Sequence, residues 1–211
     1  MINLETKYLG LDLKNPIIVS SSGLTNSVEK IKKIEEMGAG AVVLKSLFEE
    51  QISYEAGSLL HEEENYPEAS DYIDNYIRNA SVDKYIDLIS DAKKAVKIPV
   101  IASINCVSDT DWTDFAKRIE QAGADALELN IYIVAINKNM TSADYEQIYY
   151  NIVESVSKKI SIPIAVKLSY HFTNFVHLID RLSVNGASGV VIFNRFYQPD
   201  IDIDKLQVTS S

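Results

Sequence analysis

The run Pro99-Val-Ile-Ala-Ser-Ile-Asn105, together with the later run Ala126-Leu-Glu-Leu-Asn130, decides the fold of this chain of 211 residues. Each run is a short apolar segment that ends in asparagine. Between them, Asp111–Ala122 carries apolar residues at helical spacing and is followed by Gly123, a residue type that commonly ends helices. Strands with nearly continuous apolar runs are buried on both faces, which is typical of a parallel sheet covered by helices. The two runs and the helix between them therefore predict a β/α unit.

The same unit recurs towards both ends of the chain, and six β/α units are predicted in all. A short hairpin around Leu9-Gly10-Leu11 is predicted before the first core strand. An irregular tail, Tyr197–Asp204, is predicted after the last one. The remaining predicted strands are Pro16–Ser20, Ala41–Lys45, Pro163–Leu168 and Gly189–Phe193, and the remaining predicted helices are Ser27–Met37, Val82–Val96, Ala143–Lys159 and Phe175–Ser183.

Two parallel α/β architectures fit this pattern, the open doubly wound sheet and the closed β/α barrel. The first strand-to-helix turn, Ser20–Asn26, lacks the glycine-rich fingerprint of a dinucleotide site, which favours the barrel. A (β/α)8 TIM barrel has eight strands and about 250 residues. We therefore expect residues 1–211 to form a single α/β domain containing the first six units of a TIM barrel and an N-terminal β-hairpin, truncated at its C-terminus.

The composition disfavours several classes of function. The chain has 46% apolar residues and a net charge of -10, which argues against nucleic-acid binding because phosphate contacts need clustered Lys and Arg. No stretch has the length of a membrane span, and the first residues do not resemble a signal peptide. The lone cysteine, Cys106, suits a reducing cytoplasm, and the three histidines lack metal-ligand spacing. We expect a cytoplasmic protein with a small-molecule substrate and no metal, and a homodimer is one oligomeric state to test.

Polar residues stand where the predicted strands end, at the edge where parallel α/β proteins place active sites. Lys45 and Lys167 are costly there unless they meet an anion or a polar ligand, although a lysine can also extend into water. Asn105 and Asn130 both donate and accept hydrogen bonds, which suits a planar heterocycle but also suits loop capping. The serines either bind a ligand or cap the helices that follow. The candidates are Ser21, Ser22, Lys45, Ser46, Asn105, Asn130, Lys167 and Asn194.

Four segments of the chain resemble the FMN-binding half of the dihydroorotate dehydrogenase family, and they occur in the family's order and spacing. These segments are Asn15–Gly23, Leu44–Ser46, Glu128–Asn130 and Ala165–Leu168. The resemblance implies a flavin-dependent β/α barrel with FMN as its cofactor. It also implies the oxidation of dihydroorotate to orotate in pyrimidine biosynthesis.

The resemblance implies a role for each candidate residue. Lys167 would lie beside the N1–C2 carbonyl region of the flavin, where a cation stabilises the negative charge of the reduced ring. Phe193 would offer backbone contacts to the cofactor. The implied FMN-binding residues are Ser21, Ser22, Lys45, Ser46, Asn105, Asn130, Lys167 and Phe193, and the implied substrate-binding residues are Lys45, Asn130 and Asn194.

Two loops depart from the family pattern. The family loop Asn-x-Ser-Cys-Pro-Asn, or its variant with Ser for Cys, carries the base, but this chain has Ile133 there, and isoleucine cannot accept a proton. The family's substrate loop is replaced by the acidic run Leu60–Ser70, which we expect to be a solvated loop or a helix start. His171 and Cys106 are weak substitute bases, and Tyr132 is a candidate hydrogen-bond donor. The sequence thus predicts no certain catalytic residue, and it predicts altered or absent dihydroorotate oxidation.

Two other functions remain open on the sequence. One is a barrel that binds FMN or another phosphorylated ligand without redox turnover. The other is a non-flavin β/α-barrel lyase, such as an aldolase, in which Lys167 forms a Schiff base. The flavin interpretation accounts for Ser46 and Asn130 as well as Lys167, whereas the lyase accounts for Lys167 alone, so we favour the flavin oxidoreductase.

Overall fold

A computed structural model describes most of the chain, in which strands and helices alternate. The described residues are 2–48, 67–105, 112–133, 135–194, 199–202 and 207–210. The strands are β1 Thr6–Tyr8, β2 Leu11–Leu13, β3 Ile18–Val19, β4 Ala41–Val43, β5 Leu47–Phe48, β6 Val100–Asn105, β7 Ala126–Asn130, β8 Ile164–Leu168, β9 Gly189–Ile192, β10 Pro199–Asp202 and β11 Gln207–Ser210. The helices are α1 Val28–Glu36, α2 Pro67–Ala95, α3 Trp112–Gln121, α4 Ser142–Ser157 and α5 Phe175–Val184.

The central sheet is parallel, and its strands follow the order β3, β4, β6, β7, β8 and β9. The short strand β5 also pairs with β6, so β4 and β5 are two parts of one strand that is interrupted at residues 44–46. Together with the helices these strands form a curled, TIM-barrel-like sheet, and β1 pairs with β2 as an antiparallel hairpin. The predicted TIM-barrel class, the six β/α units and the N-terminal hairpin are confirmed.

Side chains along the central strands alternate between two faces of the sheet. Ile104 belongs to the large buried core that the sheet shares with the helices. Ile101, three residues earlier, belongs instead to a smaller cluster with Val43 and Ala126 on the inner face. By the same alternation Ser103 points inward. The inner face is therefore apolar at the amino-terminal ends of the strands and becomes polar towards their carboxyl ends.

The β1–β2 hairpin covers the apolar end of this inner face. Its turn uses left-handed backbone at Leu9 and Gly10, with φ angles of 53° and 77°. Tyr8, Leu9 and Leu11 pack against the inner cluster. Leu9 also lies against β9, where a Cβ added to Gly189 would come within 2.8 Å of a leucine methyl carbon. The hairpin thus links β9 to the inner faces of β4, β6 and β7.

Two predictions from the sequence were wrong, one for the start of a helix and one for the tail. Helix α2 begins at Pro67 rather than at Val82, where the apolar periodicity becomes clear. Proline suits the first turn of a helix, which explains the earlier start. Residues 199–202 of the tail are not irregular, because β10 pairs with β11 in antiparallel orientation. The alternation Asp200-Ile201-Asp202 has the two-residue period of a strand, a signal that the Pro and Asp content of the tail obscured.

Some predictions fall on residues that the structure does not describe. Cys106 lies outside the described residues, as do residues 60–66 of the acidic run, whereas residues 67–70 form the start of α2. Among the helices that are described, none is both long and apolar enough to cross a membrane.

The turn between α1 and β4 yields a stability prediction. The Gly40 N–H donates to the Ile17 carbonyl at 2.8 Å, and a Cβ at Gly40 would overlap the backbone carbonyl oxygen of Asn15. We expect Gly40→Ala to lower the unfolding free energy in urea by about 1–3 kcal/mol, because backbone atoms must shift to make room. Gly23→Ala is the matched control, since nothing lies within 4 Å of its added Cβ. Equal effects of the two substitutions would contradict this account of the turn.

Candidate functional site at the carboxyl ends of the strands

The inner face carries two polar levels near the carboxyl ends of β6, β7 and β8. At the outer level, the sheet register pairs Asn105 with Asn130 and Asn130 with Lys167. At the level below, the same ladders pair Ser103 with Glu128. Residues paired in a parallel ladder point to the same face, so these side chains lie side by side.

The Asn130 side chain is held by a residue that follows β9. Asn130 is 8% exposed, and its Oδ1 accepts a hydrogen bond from Asn194 Nδ2 at 2.6 Å. The Asn194 backbone N–H in turn donates to the Leu168 carbonyl at 2.8 Å. Two candidate residues that are far apart in the sequence therefore meet over the end of β8.

Asn105 presents an unused acceptor at the same level. Its Oδ1 atom is buried and has no hydrogen-bond partner among the described residues. A buried amide oxygen without a partner costs about 1–3 kcal/mol. A ligand that brings an N–H or O–H donor to this point would recover that free energy, so the geometry suits a polar ligand.

A chain of hydroxyl groups runs beneath this level and ends on a buried carboxyl group. Ser21 Oγ lies 3.0 Å from Ser46 Oγ, and Ser46 Oγ lies 2.8 Å from Ser103 Oγ. Ser103 Oγ donates to Glu128 Oε1 at 3.1 Å. Sequence reasoning named Ser21 and Ser46 but missed Ser103 and Glu128. Their signal is their position, two residues before Asn105 and Asn130 respectively, on the same side of strands that are otherwise apolar.

The Glu128 carboxyl group lies in an environment that resists ionisation. Glu128 is 3% exposed, and burial raises its pKa, while the Lys167 charge and the Ser103 hydrogen bond act in the opposite direction. Two phenols face it from other elements. Burial, with a smaller contribution from Glu128, raises the pKa of Tyr8 to about 12 and raises that of Tyr85 as well. The Tyr85 hydroxyl donates to the Ser103 carbonyl and accepts from the Ser103 N–H, which fixes β6 at this level.

Three further predicted residues, Ser22, Lys45 and Phe193, make contacts of other kinds. Ser22 caps a local turn, since its Oγ accepts from the Leu24 N–H at 3.2 Å, in line with the capping alternative. Lys45 lines a cavity of about 540 Å³ between α1 and α2. Phe193 is 50% exposed, and its ring packs edge-on against Phe175 with 5.3 Å between ring centroids.

A family model described as dihydroorotate dehydrogenase matches residues 3–211. The chain belongs to the dihydroorotate dehydrogenase family. It is 30% identical over 197 residues to the dihydroorotate dehydrogenase B (NAD(+)) catalytic subunit of Methanocella arvoryzae, which covers 92% of this chain and 63% of the relative. It is 26% identical over 218 residues to the dihydroorotate dehydrogenase A (fumarate) of Lactobacillus delbrueckii subsp. bulgaricus, which covers 96% of this chain and 66% of the relative.

The similarity to solved structures is at the level of the fold. An IMP dehydrogenase/GMP reductase-like protein from Corynebacterium glutamicum superposes with a TM-score of 0.54 at 11% identity, over 93% of this chain and 50% of the other. Phosphonopyruvate hydrolase gives a TM-score of 0.53 at 14% identity, over 85% of this chain and 58% of the other. The chain also spans only 63% to 66% of the length of the dihydroorotate dehydrogenases described above.

The loop where the dihydroorotate dehydrogenase family is expected to carry its base borders a separate cavity. Ile133 and His171 both line this cavity of about 320 Å³, together with Tyr132 and Tyr149. Burial raises the pKa of Tyr149 to about 12, partly offset by a hydrogen bond with the Ile133 backbone. His171 is exposed and stacks on Tyr170 with 4.0 Å between ring centroids. Of the two candidate substitute bases, His171 therefore lies beside this loop, and Cys106 is outside the described residues.

The buried carboxyl group predicts a specific dependence of stability on pH. Because folding raises the pKa of Glu128, the stability linked to this group is full below its unfolded pKa of about 4.3 and is lost as pH rises through the folded pKa. We expect Glu128→Gln to gain unfolding free energy relative to the wild type as pH rises above about 4.3, by at most about 1.4 kcal/mol per pH unit. Urea titrations at several pH values measure this difference.

Glu120→Gln provides a control of opposite sign. Hydrogen bonds from Ser161 hold the pKa of Glu120 below its usual value, so its stabilising contribution is present above the unfolded pKa and is lost as pH falls. We expect Glu120→Gln to be destabilised near neutral pH and to approach the wild type in acid. A pH-independent difference between the wild type and Glu128→Gln would show that the carboxyl group is not perturbed.

Proposed function

We propose that this chain binds the isoalloxazine ring of FMN at the outer polar level and acts as an FMN-dependent oxidoreductase. Membership of the dihydroorotate dehydrogenase family supports a flavin, since its members are flavin-dependent. The observation that carries the proposal is the buried Asn105 Oδ1, which has no hydrogen-bond partner in the part of the chain that the structure describes. It provides an acceptor for a ring N–H, and the register places Asn130 and then Lys167 beside it. An anionic or electron-accepting heterocycle fits this arrangement.

Each residue of the outer level has a distinct task in this proposal. Asn105 accepts a hydrogen bond from the ring, and Lys167 supplies a positive charge where negative charge develops. Asn194 orients the Asn130 amide through the 2.6 Å hydrogen bond, and both contact substrate in this proposal. The resemblance implies the same role for Lys45, but in the structure Lys45 lines the cavity between α1 and α2. FMN, when bound, supplies the two-electron acceptor for oxidation of a carbon–carbon single bond. A Schiff-base lyase would leave Asn105 without a partner, so it explains less of the site.

The substrate in this proposal is a small molecule, with dihydroorotate as the first candidate because the relatives are named for it. The family's usual base is replaced by Ile133, so turnover requires a proton acceptor elsewhere in the site, and without one dihydroorotate oxidation is lost. A cytoplasmic location and a homodimer are proposed with the same reaction and follow from the sequence argument alone.

Substitution of Asn105 tests the proposal because function and stability should respond in opposite directions. We expect Asn105→Leu to weaken FMN binding by about tenfold, the value of one lost hydrogen bond, as measured by quenching of FMN fluorescence. The unfolding free energy without FMN should stay equal or rise, since the substitution removes a buried acceptor that no described residue pairs with. FMN is added in excess, because barrels often bind phosphate with loops after strands seven and eight, beyond the six parallel strands described here.

Asn151→Ala is the matched control for this experiment. Asn151 is exposed on α4, where its Oδ1 accepts from Gln147. This variant should bind FMN as the wild type does. Absence of saturable FMN binding by the wild-type chain, or equal binding by Asn105→Leu, would refute the proposed site.

A further inference from the structure

The serine chain joins the buried carboxyl group to the rim of the site through four neighbouring strands. Ser21 follows β3, Ser46 lies between β4 and β5, Ser103 is in β6 and Glu128 is in β7. Their consecutive oxygen atoms are 3.0, 2.8 and 3.1 Å apart, all within hydrogen-bond distance. Burial decreases along the chain, since Ser103 is 0% exposed, Ser46 is 6% exposed and Ser21 is half-buried. The chain of serines therefore leads from the interior to the carboxyl-end edge of the sheet.

The direction of these hydrogen bonds depends on the charge of the carboxyl group. Each serine hydroxyl has one proton to donate. Because Ser103 donates to Glu128, Ser46 must donate to Ser103, and Ser21 must then donate to Ser46. Ser21 Oγ also accepts from the Ser46 N–H at 2.8 Å. An ionised Glu128 thus turns every hydroxyl inward and makes Ser21 an acceptor towards the site.

Protonation of the carboxyl group reverses the chain. A protonated Glu128 donates to Ser103, and each hydroxyl can then donate one step outward, so Ser21 becomes a donor towards the site. Passing from one state to the other moves one proton between the rim and Glu128. Each serine gives up one proton and receives one, so no charged serine remains.

We propose that Glu128 is the proton acceptor of this site and that Ser21, Ser46 and Ser103 conduct the proton to it from a bound substrate. This inference deepens the proposed oxidation and depends on it for the identity of the substrate. In the step, an acidic C–H or N–H bond of a substrate docked against Ser21 breaks, and an O–H bond forms on Glu128. One proton moves inward, and the electron pair of the broken bond stays with the substrate. The relay provides the function that Ile133 cannot supply.

The groups around Glu128 suit this role. Lys167 on β8 supplies a positive charge that offsets the carboxylate, and the phenols Tyr8 from the hairpin and Tyr85 from α2 stay neutral because their pKa values are raised. Ser103 on β6 provides the hydrogen bond. Burial raises the pKa of Glu128, which brings a carboxyl group closer to the range where it can accept a proton near neutral pH.

The first experiment needs no ligand and uses the 211-residue chain. The carboxyl carbon of Glu128 and the Cβ of Ser21 are followed by carbon-13 NMR across pH. We expect the Ser21 signal to shift with the same midpoint as the Glu128 carboxyl group, because the chain reverses at that pH. In Ser46→Ala the Glu128 group should still titrate, while the Ser21 response should disappear. Ser157→Ala, which removes hydroxyl hydrogen bonds at the end of α4, is the control and should retain the coupling.

Two results of this titration would overturn the relay. A Ser21 signal that does not respond to pH shows that no reversal reaches the rim. A Ser21 response that persists in Ser46→Ala shows that the electric field of the carboxylate acts through space without the hydroxyl chain. Neither outcome depends on whether the protein binds FMN.

The second experiment measures the rate at which dihydroorotate reduces bound FMN in a stopped-flow instrument across pH. With FMN at saturating concentration for each variant, we expect Ser46→Ala and Glu128→Gln to reduce flavin at least 100-fold more slowly, within the range for loss of a general base. The wild-type rate should fall in acid with the midpoint seen for Glu128 by NMR. The relay is refuted if the wild type binds FMN but dihydroorotate does not reduce it, or if Ser46→Ala is reduced as fast as the wild type. Neither result contradicts the proposed FMN site. A chain that binds no FMN refutes the proposed function, and the NMR titration then decides the relay.

Discussion

The parallel register of β6, β7 and β8 is the constraint on which the rest of the structure depends. Hydrogen bonding between these strands fixes Asn105 beside Asn130 and Asn130 beside Lys167. A slip of one residue would turn every inner side chain outward, moving Glu128 into the apolar layer against the helices. The apolar outer face forbids that slip, because it would expose the residues of the large core to the inner polar levels. Burial of the apolar strand residues against the helices thus decides which polar side chains lie next to each other on the inner face.

The sequence predicted most of the fold because continuous apolar strands and amphipathic helices are local signals. β7 was predicted with its observed bounds, and α1 was predicted to within a residue at each end. The start of α2 and the β10–β11 hairpin were missed, since the first lacks clear apolar periodicity and the second combines alternation with strand-disfavouring residues. The apolar pattern alone does not reveal a helix that lacks clear periodicity or a strand that contains Pro and Asp.

The candidate site was predictable only in part, for a geometric reason. Residues at strand ends can be named from the order of elements, since all parallel strands end at one edge. Asn105, Asn130, Lys167 and Asn194 were named as candidates in this way. Ser103 and Glu128 lie inside their strands, and whether an internal polar residue faces the helices or the interior depends on the pleat. The two-residue spacing from Asn105 and Asn130 is the only sequence signal for Ser103 and Glu128, and the register of β6 with β7 places the two side chains together.

The hairpin that covers the apolar end of the sheet has a consequence for how the molecule is made. Leu9 in the β1–β2 hairpin lies against Gly189 in β9, and the strands β3 to β8 lie between them in the sequence. Contacts between such distant parts of a chain form slowly and late. Until β9 is synthesised, the hairpin lacks its contact with Gly189 and β8 lacks its neighbouring strand, so water can hydrate the Glu128 carboxyl group. Burial of Glu128 is therefore postponed until β9 has emerged from the ribosome, and its carboxyl group stays solvated while β3 to β8 are being made.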